Sequence, residues 1–250
     1  MIRIIPRLDI KWPNLIKGIQ LEGLRVIGNP SEYAKNYYMT GADEIILMDC
    51  VASLYNRNGL HDLVAQVADS IFVPICVGGG IRSVDDARSL LRSGADKVAL
   101  NTAAIAQPEL ISQLADKFGT QAVVVSIEAK KIEDGEWLCY FDNGRENSNL
   151  QILDWVEKVE KLGAGEILLT SVDHEGTAIG YDLDLIKTVT QNAQIPVIAS
   201  GGYGQFKHAL EAIDAGVQAI SLARSLHYKN TTIGEIKNFL HQSGVEVRLV

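Results

Sequence analysis

The stretches GADEIILMD (41–49) and GAGEILLTS (163–171) are two versions of one pattern, in which a glycine precedes a short apolar run. Two further pairs repeat in the same way: VPICVGGG (73–80) with IPVIASGG (195–202), and GADKVALNTA (94–103) with GVQAISLARS (216–225). The members of every pair are offset by the same 122 residues. Because one offset holds over more than sixty positions, the repeat predicts a chain built from two equivalent halves.

Eight short apolar runs alternate with amphipathic stretches along the chain. The predicted strands cover 2–8, 44–49, 74–77, 97–100, 122–127, 166–170, 196–199 and 219–222. The predicted helices cover 30–40, 83–93, 108–117, 150–162, 183–192 and 205–214. Apolar runs without strict polar alternation are typical of parallel strands that are covered on both faces. Eight of them in 250 residues predict an α/β fold, a single (β/α)8 TIM barrel domain over residues 1–250, with a doubly wound sheet as the alternative.

Two long segments interrupt the alternation of strands and helices. Residues 128–146 contain an Asp134-Gly135 turn before WLCYF, which predicts a β-hairpin inserted after the fifth strand. Residues 11–29, rich in glycine and asparagine, follow the first strand and are predicted to form a long loop. Long loops at the carboxyl ends of barrel strands usually serve function as lids or binding loops; the alternative is a solvated insertion.

The composition argues against several classes of function. A formal net charge of −8 disfavours nucleic acid as a partner, because binding to a phosphate backbone needs a basic face. No apolar run approaches about 18 residues, so we expect no membrane contact, and the absence of a signal-peptide pattern predicts a cytoplasmic location. Three well-separated cysteines and five scattered histidines predict no metal site. The glycine-rich segments lack the spacings of nucleotide-binding loops, so we expect no cofactor.

Glycines follow the third predicted strand of each half, at 78–80 and 201–202. Consecutive glycines let backbone N–H groups approach an anion closely, although tight turns also use them. Asn101 and Thr102 end the next strand of the first half, and Ser225 follows its counterpart, where these side chains can add hydrogen-bond donors. Each glycine segment, together with these neighbouring side chains, is predicted to form a phosphate-binding cradle. Two such cradles on opposite sides of a barrel mouth predict a small-molecule substrate with a phosphate at each end.

Two carboxylates end the first strand of each predicted half, Asp9 and Glu128. Carboxylates that face each other across a barrel mouth suit general acid–base chemistry, since different surroundings can separate their pKa values. Alternatively, they cap backbone N–H groups or pair with Lys130 or Lys131. Weaker candidates of the same kind are Asp49 and Asp173.

Charged residues also stand at the starts of four strands, at the opposite end of the predicted barrel. They are Arg3, Glu44, Lys97 and Glu166. Side chains alternate along a strand, so Arg3 faces the barrel interior if Asp9 does. Four charges of alternating sign can close a ring at the floor, forming a gate for a small molecule; the alternative is ordinary surface ion pairs.

Taken together, these residues resemble the cyclase subunit of imidazole glycerol phosphate synthase, the HisF family. The strings that carry the resemblance are VGGGIRSVDDA (77–87), GADKVALNTAA (94–104), LGAGEILLTSVD (162–173), GYDLDL (180–185) and IPVIASGG (195–202). The resemblance implies a (β/α)8 barrel that pairs with a glutaminase subunit, HisH-like, as a heterodimer. Ammonia made by that partner enters at the floor and reacts at the mouth with a bisphosphorylated ribulosyl-formimino-aminoimidazole carboxamide ribotide. The products are imidazole glycerol phosphate and an aminoimidazole carboxamide ribotide, a step of histidine biosynthesis.

The resemblance also implies roles for individual residues. Asp9 and Glu128 are implied as the acid–base pair, with Lys17 in a mobile loop over the substrate and Asp96 near the glutaminase contact. The implied substrate and phosphate ligands are Lys17, Gly79, Gly80, Asn101, Thr102, Asp173, Gly176, Thr177, Gly201, Gly202 and Ser225. The implied ammonia gate is Arg3, Glu44, Lys97 and Glu166.

Four positions depart from the family pattern. The family has Asp at Glu128, Cys at Arg7, Asp at Glu175 and a small residue at Arg224. Because these changes lie close to the predicted catalytic and phosphate-binding residues, a second function is an alternative. In it, the chain is a HisF-like paralogue that uses glutaminase-derived ammonia to form an acetamidino group on a nucleotide-linked sugar for surface polysaccharide. Two further alternatives are the related phosphoribosyl-formimino isomerase and a non-catalytic barrel that activates the glutaminase.

Overall fold

A computed structural model of the chain describes residues 1–51 and 60–249. These ranges contain the strands β1 (Arg3–Lys11), β2 (Asn14–Ile19), β3 (Glu22–Gly28), β4 (Ile45–Asp49), β5 (Ile75–Gly78), β6 (Lys97–Leu100), β7 (Val123–Glu133), β8 (Glu136–Phe141), β9 (Glu146–Gln151), β10 (Glu166–Ser171), β11 (Val197–Ser200) and β12 (Ala219–Leu222). They also contain the helices α1 (Pro30–Met39), α2 (His61–Ala68), α3 (Val84–Arg92), α4 (Thr102–Ala106), α5 (Glu109–Phe118), α6 (Ile152–Lys161), α7 (Leu183–Thr190), α8 (Phe206–Asp214), α9 (Arg224–His227) and α10 (Ile233–Gln242).

Eight strands close into a parallel barrel. β1, β4, β5, β6 and β7 pair in that order, and β10, β11 and β12 continue the sheet back to β1. Helices connect successive barrel strands. The predicted (β/α)8 barrel is therefore confirmed, and the closed sheet excludes the doubly wound alternative. None of the helices in the described ranges is long and apolar enough to cross a membrane.

Each half of the barrel carries an antiparallel extension after its first strand. β7 continues into β8 and β9, which confirms the predicted hairpin at Asp134-Gly135. β1 continues into β2 and β3, so residues 11–29 form a second hairpin instead of the expected open loop. The physical reason is burial: Leu15 and Ile16 are covered on β2, and pairing with β1 satisfies the backbone that carries them.

One apolar layer crosses the interior of the barrel between its two ends. Its members are Ile5, Ile46, Cys76, Ala99, Val124, Leu168, Ile198 and Ala219. Because alternate residues of a strand share a face, Arg3, Arg7 and Asp9 point into the interior together with Ile5. Polar groups therefore lie below and above the apolar layer, at the floor and at the mouth.

Candidate active site

Glu128 projects from β7 into the mouth of the barrel and is 6% exposed. Its Oε2 accepts a hydrogen bond from the backbone N–H of Gly144 at 2.7 Å. Burial raises the pKa of Glu128 to about 7, although the charge of Arg7 and the bond from Gly144 act in the opposite direction. A carboxyl group with a pKa near neutrality can both accept and donate a proton under physiological conditions.

A cavity of about 300 Å³ opens beside Glu128 at the carboxyl ends of the first-half strands. The polar residues that line it include Asp49, Gly79, Gly80, Arg82, Asn101, Thr102, Ser126, Glu128 and Asn143. The structure thus brings the predicted first cradle and one predicted catalytic carboxylate to the same cavity. Gly79 has a φ of +101°, and a Cβ there would overlap the backbone carbonyl of Asp49, so only glycine fits this turn.

Asn101 and Thr102 tie the first cradle to the inserted hairpin. The Nδ2 of Asn101 donates to the carbonyl oxygens of Ser126 and Tyr140, at 3.0 and 3.1 Å. The hydroxyl of Thr102 lies 3.2 Å from Oδ1 of Asp142 and accepts from the backbone N–H of the same residue. These bonds fix the wall of the cavity that Asn101 and Thr102 form beside Gly79.

Asp9 lies in a buried ion cluster and does not line this cavity. Its Oδ1 accepts from Nε of Arg7 at 2.8 Å and its Oδ2 from Nζ of Lys17 at 3.0 Å. Burial alone would raise the pKa of Asp9, but the two cations outweigh it and hold that pKa well below its usual range. Lys17 also pairs with Glu175, so the cluster has two cations and two carboxylates.

The resemblance implies that Lys17 belongs to a mobile loop, but the structure places it in a paired strand. It lies on β2 and is 3% exposed. Burial lowers its pKa, but Asp9 and Glu175 outweigh that effect and the net pKa is raised. The hairpin is further bonded to the loop after β10, where Gln20 donates from its backbone to the carbonyl of Glu175 at 2.7 Å. Lys17 therefore ties the hairpin across the mouth.

The second cradle is much smaller than the first. It is lined by Glu175, Gly176, Ser200, Gly201, Gly202, Tyr203, Ser221, Arg224 and Ser225, among others. Its volume of about 10 Å³ is that of one water molecule at most. Arg224 narrows it, because its Nη1 donates to the carbonyl of Gly176 at 2.5 Å. Any phosphate entering here has to displace this guanidinium or bind it.

The floor residues form a closed ring of ion pairs, as the sequence predicts. Arg3 pairs with Glu44 at 2.6 Å and with Glu166, and Lys97 pairs with Glu44 at 2.9 Å and with Glu166 at 2.8 Å. Glu44 is 1% exposed. Both carboxylates of the ring are buried and each contacts both cations, which excludes the alternative of ordinary surface pairs.

Three implied ligands, Lys17, Asp173 and Thr177, lie outside both cavities. The Oδ2 of Asp173 accepts from the backbone N–H of Lys131 at 2.9 Å, and the hydroxyl of Thr177 donates to the carbonyl of His174 at 2.6 Å. Conversely, sequence reasoning missed Asn143 and Gly144, which reach the mouth from the turn between β8 and β9. The Asp142-Asn143-Gly144 string was a turn signal that could have identified them.

The fold and this site define a (β/α)8-barrel enzyme whose chemistry lies at the carboxyl ends of its strands. Residues 3–232 match the family model described as histidine biosynthesis protein, and the chain belongs to this family.

Individual relatives carry a more specific name. The chain is 61% identical to an imidazole glycerol phosphate synthase subunit HisF of Legionella pneumophila over 82% of this chain and 97% of that protein. It is 46% identical to the HisF of Streptococcus mutans, covering 98% of each chain. It is 47% identical to the HisF of Hydrogenobaculum, covering 99% of this chain and 98% of the relative. The predicted enzyme class, imidazole glycerol phosphate synthase subunit HisF of histidine biosynthesis, is confirmed by these matches.

Proposed function

We propose that the chain joins ammonia to a bisphosphorylated ribulosyl-formimino-aminoimidazole carboxamide ribotide, forming imidazole glycerol phosphate and an aminoimidazole carboxamide ribotide. The observation that carries the proposal is the position of Glu128 on the wall of the same cavity as the Gly79–Gly80 cradle. The cradle binds one phosphate through backbone N–H groups, while the side chains of Asn101 and Thr102, whose donors are used by Ser126, Tyr140 and Asp142, hold the cavity wall in place. The second phosphate belongs at the Gly201–Gly202 cradle.

Glu128 is the proton-transfer group in this proposal. Attack by the ammonia nitrogen on an electrophilic carbon requires the loss of a proton from that nitrogen, and the departing nitrogen requires one. Glu128, with a pKa of about 7 and access to the cavity, can perform both transfers. Asp9, held as a carboxylate by Arg7 and Lys17, does not line the cavity, and its role in this proposal is to position those two cations beside the mouth. The two carboxylates therefore have different environments and separate roles.

Ammonia enters at the floor in this proposal, supplied by a glutaminase subunit bound to that face as a heterodimer. The closed ring of Arg3, Glu44, Lys97 and Glu166 supports a gate there. Such a ring has no evident use in an isomerase, which consumes no ammonia. The proposed location of the complex is the cytoplasm.

A second candidate reaction is favoured by an arginine at the mouth. Arg224 lines the second cradle, whose volume is about 10 Å³, whereas Arg7 is buried against Asp9 and lines neither cavity. Arg224 suits an acceptor with a different arrangement of anionic groups, such as a nucleotide-linked sugar that receives an acetamidino group.

The test is an absorbance assay of the purified chain with excess ammonium and the formimino-ribulosyl bisphosphate. No glutaminase is needed, so the assay isolates the chemistry of this subunit. Turnover that is lost in Glu128→Gln and Asp9→Asn, but retained in Glu146→Gln, an exposed carboxylate on β9, is the expected result.

Binding without turnover would contradict the cyclase proposal. Turnover of a nucleotide-linked sugar with ammonium would then establish the second candidate. Stimulation of the glutaminase with no turnover of either acceptor would instead identify a non-catalytic activator.

A further inference from the structure

The floor ring and the 300 Å³ cavity come close to each other along β6. Lys97, at the start of this strand, belongs to the ring, and Ala99, two residues further on the same face, lines the cavity. Two residues of a strand span about 7 Å. Ala99 is also a member of the apolar layer. A single layer of side chains therefore separates the ring from the cavity on this side of the barrel.

Met48 covers this part of the layer from the cavity side. It follows Ile46 of the apolar layer on the inward face of β4, packs against the layer and lines the cavity. Its register partner on β5 is Gly78, and the partner of Gly78 on β6 is Ala99. A Cβ at Gly78 would lie 2.5 Å from Sδ and 2.8 Å from Cε of Met48. The thioether end of Met48 therefore lies across the inward face of β5, in the space that a side chain at Gly78 would occupy.

The apolar layer is also least bulky on this side. Cys76 and Ala99 are its members on the neighbouring strands β5 and β6, and both side chains are small. The third small member, Ala219 on β12, stands between Ile5 on β1 and Ile198 on β11. Two adjacent small side chains leave more room for a passing molecule than one small side chain between two isoleucines.

We name the space between Cys76, Ala99 and the thioether end of Met48 the crossing. We propose that Met48 is a movable plug of the crossing, and that ammonia enters the cavity past Gly78 when the thioether end turns aside. Ammonia then arrives beside Glu128, which lines the same cavity. The inference rests on the proposed function, since it assumes that ammonia arrives through the floor.

A methionine side chain suits this role. It is unbranched, with three rotatable bonds, and its thioether sulfur is only a weak hydrogen-bond acceptor, so its end can turn without breaking a strong bond. Neutral ammonia can enter an apolar layer, whereas ammonium would carry its charge out of water at a large free-energy cost. The crossing thereby passes the nucleophilic form of the nitrogen, and the returning thioether keeps the water of the mouth out of the interior.

The test compares two sources of ammonia in the complex with the glutaminase subunit, at saturating bisphosphate. Ammonium added to the solution reaches the cavity from the mouth, whereas glutamine-derived ammonia has to pass the crossing. The informative quantity is the ratio of glutamine-driven to ammonium-driven turnover. Damage to the chemistry or to substrate binding lowers both rates and leaves this ratio unchanged.

Met48→Phe replaces the flexible plug by a larger, rigid ring, and we expect the ratio to fall at least about tenfold, the effect of overpacking a filled interior. Met48→Ala removes the plug, and the ratio should stay at or above the wild-type value. Ala99→Val adds bulk to the crossing from β6 and should also lower the ratio, so the test does not depend on the folding of one variant. The matched control is Ile81→Phe, which adds an aromatic ring to the cavity wall away from the apolar layer and should leave the ratio unchanged.

A ratio that stays unchanged in both Met48→Phe and Ala99→Val would overturn the inference. An equal fall in Met48→Ala or in Ile81→Phe would overturn it too, because distortion or bulk in the cavity would then explain the effect without a plug. Glutamine-driven turnover that is absent from the wild type, beside full ammonium-driven turnover, would overturn it as well. Failure of the proposed function looks different, because no ammonium-driven turnover would then occur in any of the proteins.

Discussion

The carboxylate of Glu128 and the backbone N–H of Gly144 are joined by a hydrogen bond of 2.7 Å. The bond links the barrel strand β7 to the turn between β8 and β9, so the inserted hairpin positions the proposed acid–base group. It leaves Glu128 on the cavity wall, while Asp9 is enclosed by Arg7 and Lys17. The two carboxylates are thus unequal, and Glu128 is the one able to exchange protons.

Glu128→Gln should lower ammonium-driven turnover by about 10²–10⁴-fold, the usual contribution of a general acid–base group. If ionised Glu128 accepts the proton in the slow step, turnover of the wild type should rise with pH and level off above about 7. Initial rates between pH 5 and 9 at saturating substrate measure this dependence, with the ammonia concentration held constant at each pH. A profile without an inflection near neutrality, or unchanged in Glu128→Gln, would contradict the assignment.

The same carboxyl group should make stability depend on pH. Its pKa of about 7 in the folded chain exceeds the ordinary value of 4.5, so the folded chain retains a proton that the unfolded chain releases between these values. The contribution of Glu128 to stability is therefore complete below pH 4.5 and is lost as pH rises through about 7. Glu128→Gln should gain stability relative to the wild type across this window, by at most about 1.4 kcal/mol per pH unit. Urea unfolding at each pH provides the comparison, and parallel curves would refute the prediction.

Lys17→Met should destabilise the chain by about 3–5 kcal/mol, because it leaves the buried Glu175 without its cation and weakens the pairing of Asp9. The matched control is Lys161→Met, which removes an exposed ion pair with Glu157 and should cost less than about 1 kcal/mol. Chemical unfolding monitored by circular dichroism measures both. Equal losses in the two variants would mean that the buried cluster contributes no more than a surface pair.

Gly202→Ala should be more damaging than Gly135→Ala, although both glycines have positive φ values, +111° and +82°. A Cβ at Gly202 would overlap the carbonyl of Gly180, whereas a Cβ at Gly135 meets no atom within 4 Å. Gly135→Ala should therefore lower the free energy of unfolding only by the strain of a residue with positive φ, about 1–2 kcal/mol. Gly202→Ala should lower it more and distort the second cradle. Thermal unfolding and the KM for the bisphosphate provide the two readouts. The same loss in both variants would show that space at Gly202 is unimportant.

The sequence allowed the barrel and its floor to be predicted because both follow from local pattern and repetition. The apolar runs and the 122-residue offset indicate equivalent strands. A charged residue at the start of a barrel strand lies at the floor of the barrel. The hairpin β2–β3 could not be predicted in the same way. Its glycines and asparagines favour loops locally, and only contact with β1 makes pairing the stable arrangement.

By itself, the sequence determined the fold class and the strand ends at which the glycine segments, the floor charges and the two carboxylates lie, since each depends on residue type and strand position. The tertiary structure alone decided how the two carboxylates differ. Glu175 is 158 residues from Lys17 and Thr170 is 163 from Arg7, yet these side chains meet beside Asp9. Protonation depends on the charges and solvent around a group, and those neighbours are brought together only when the barrel closes.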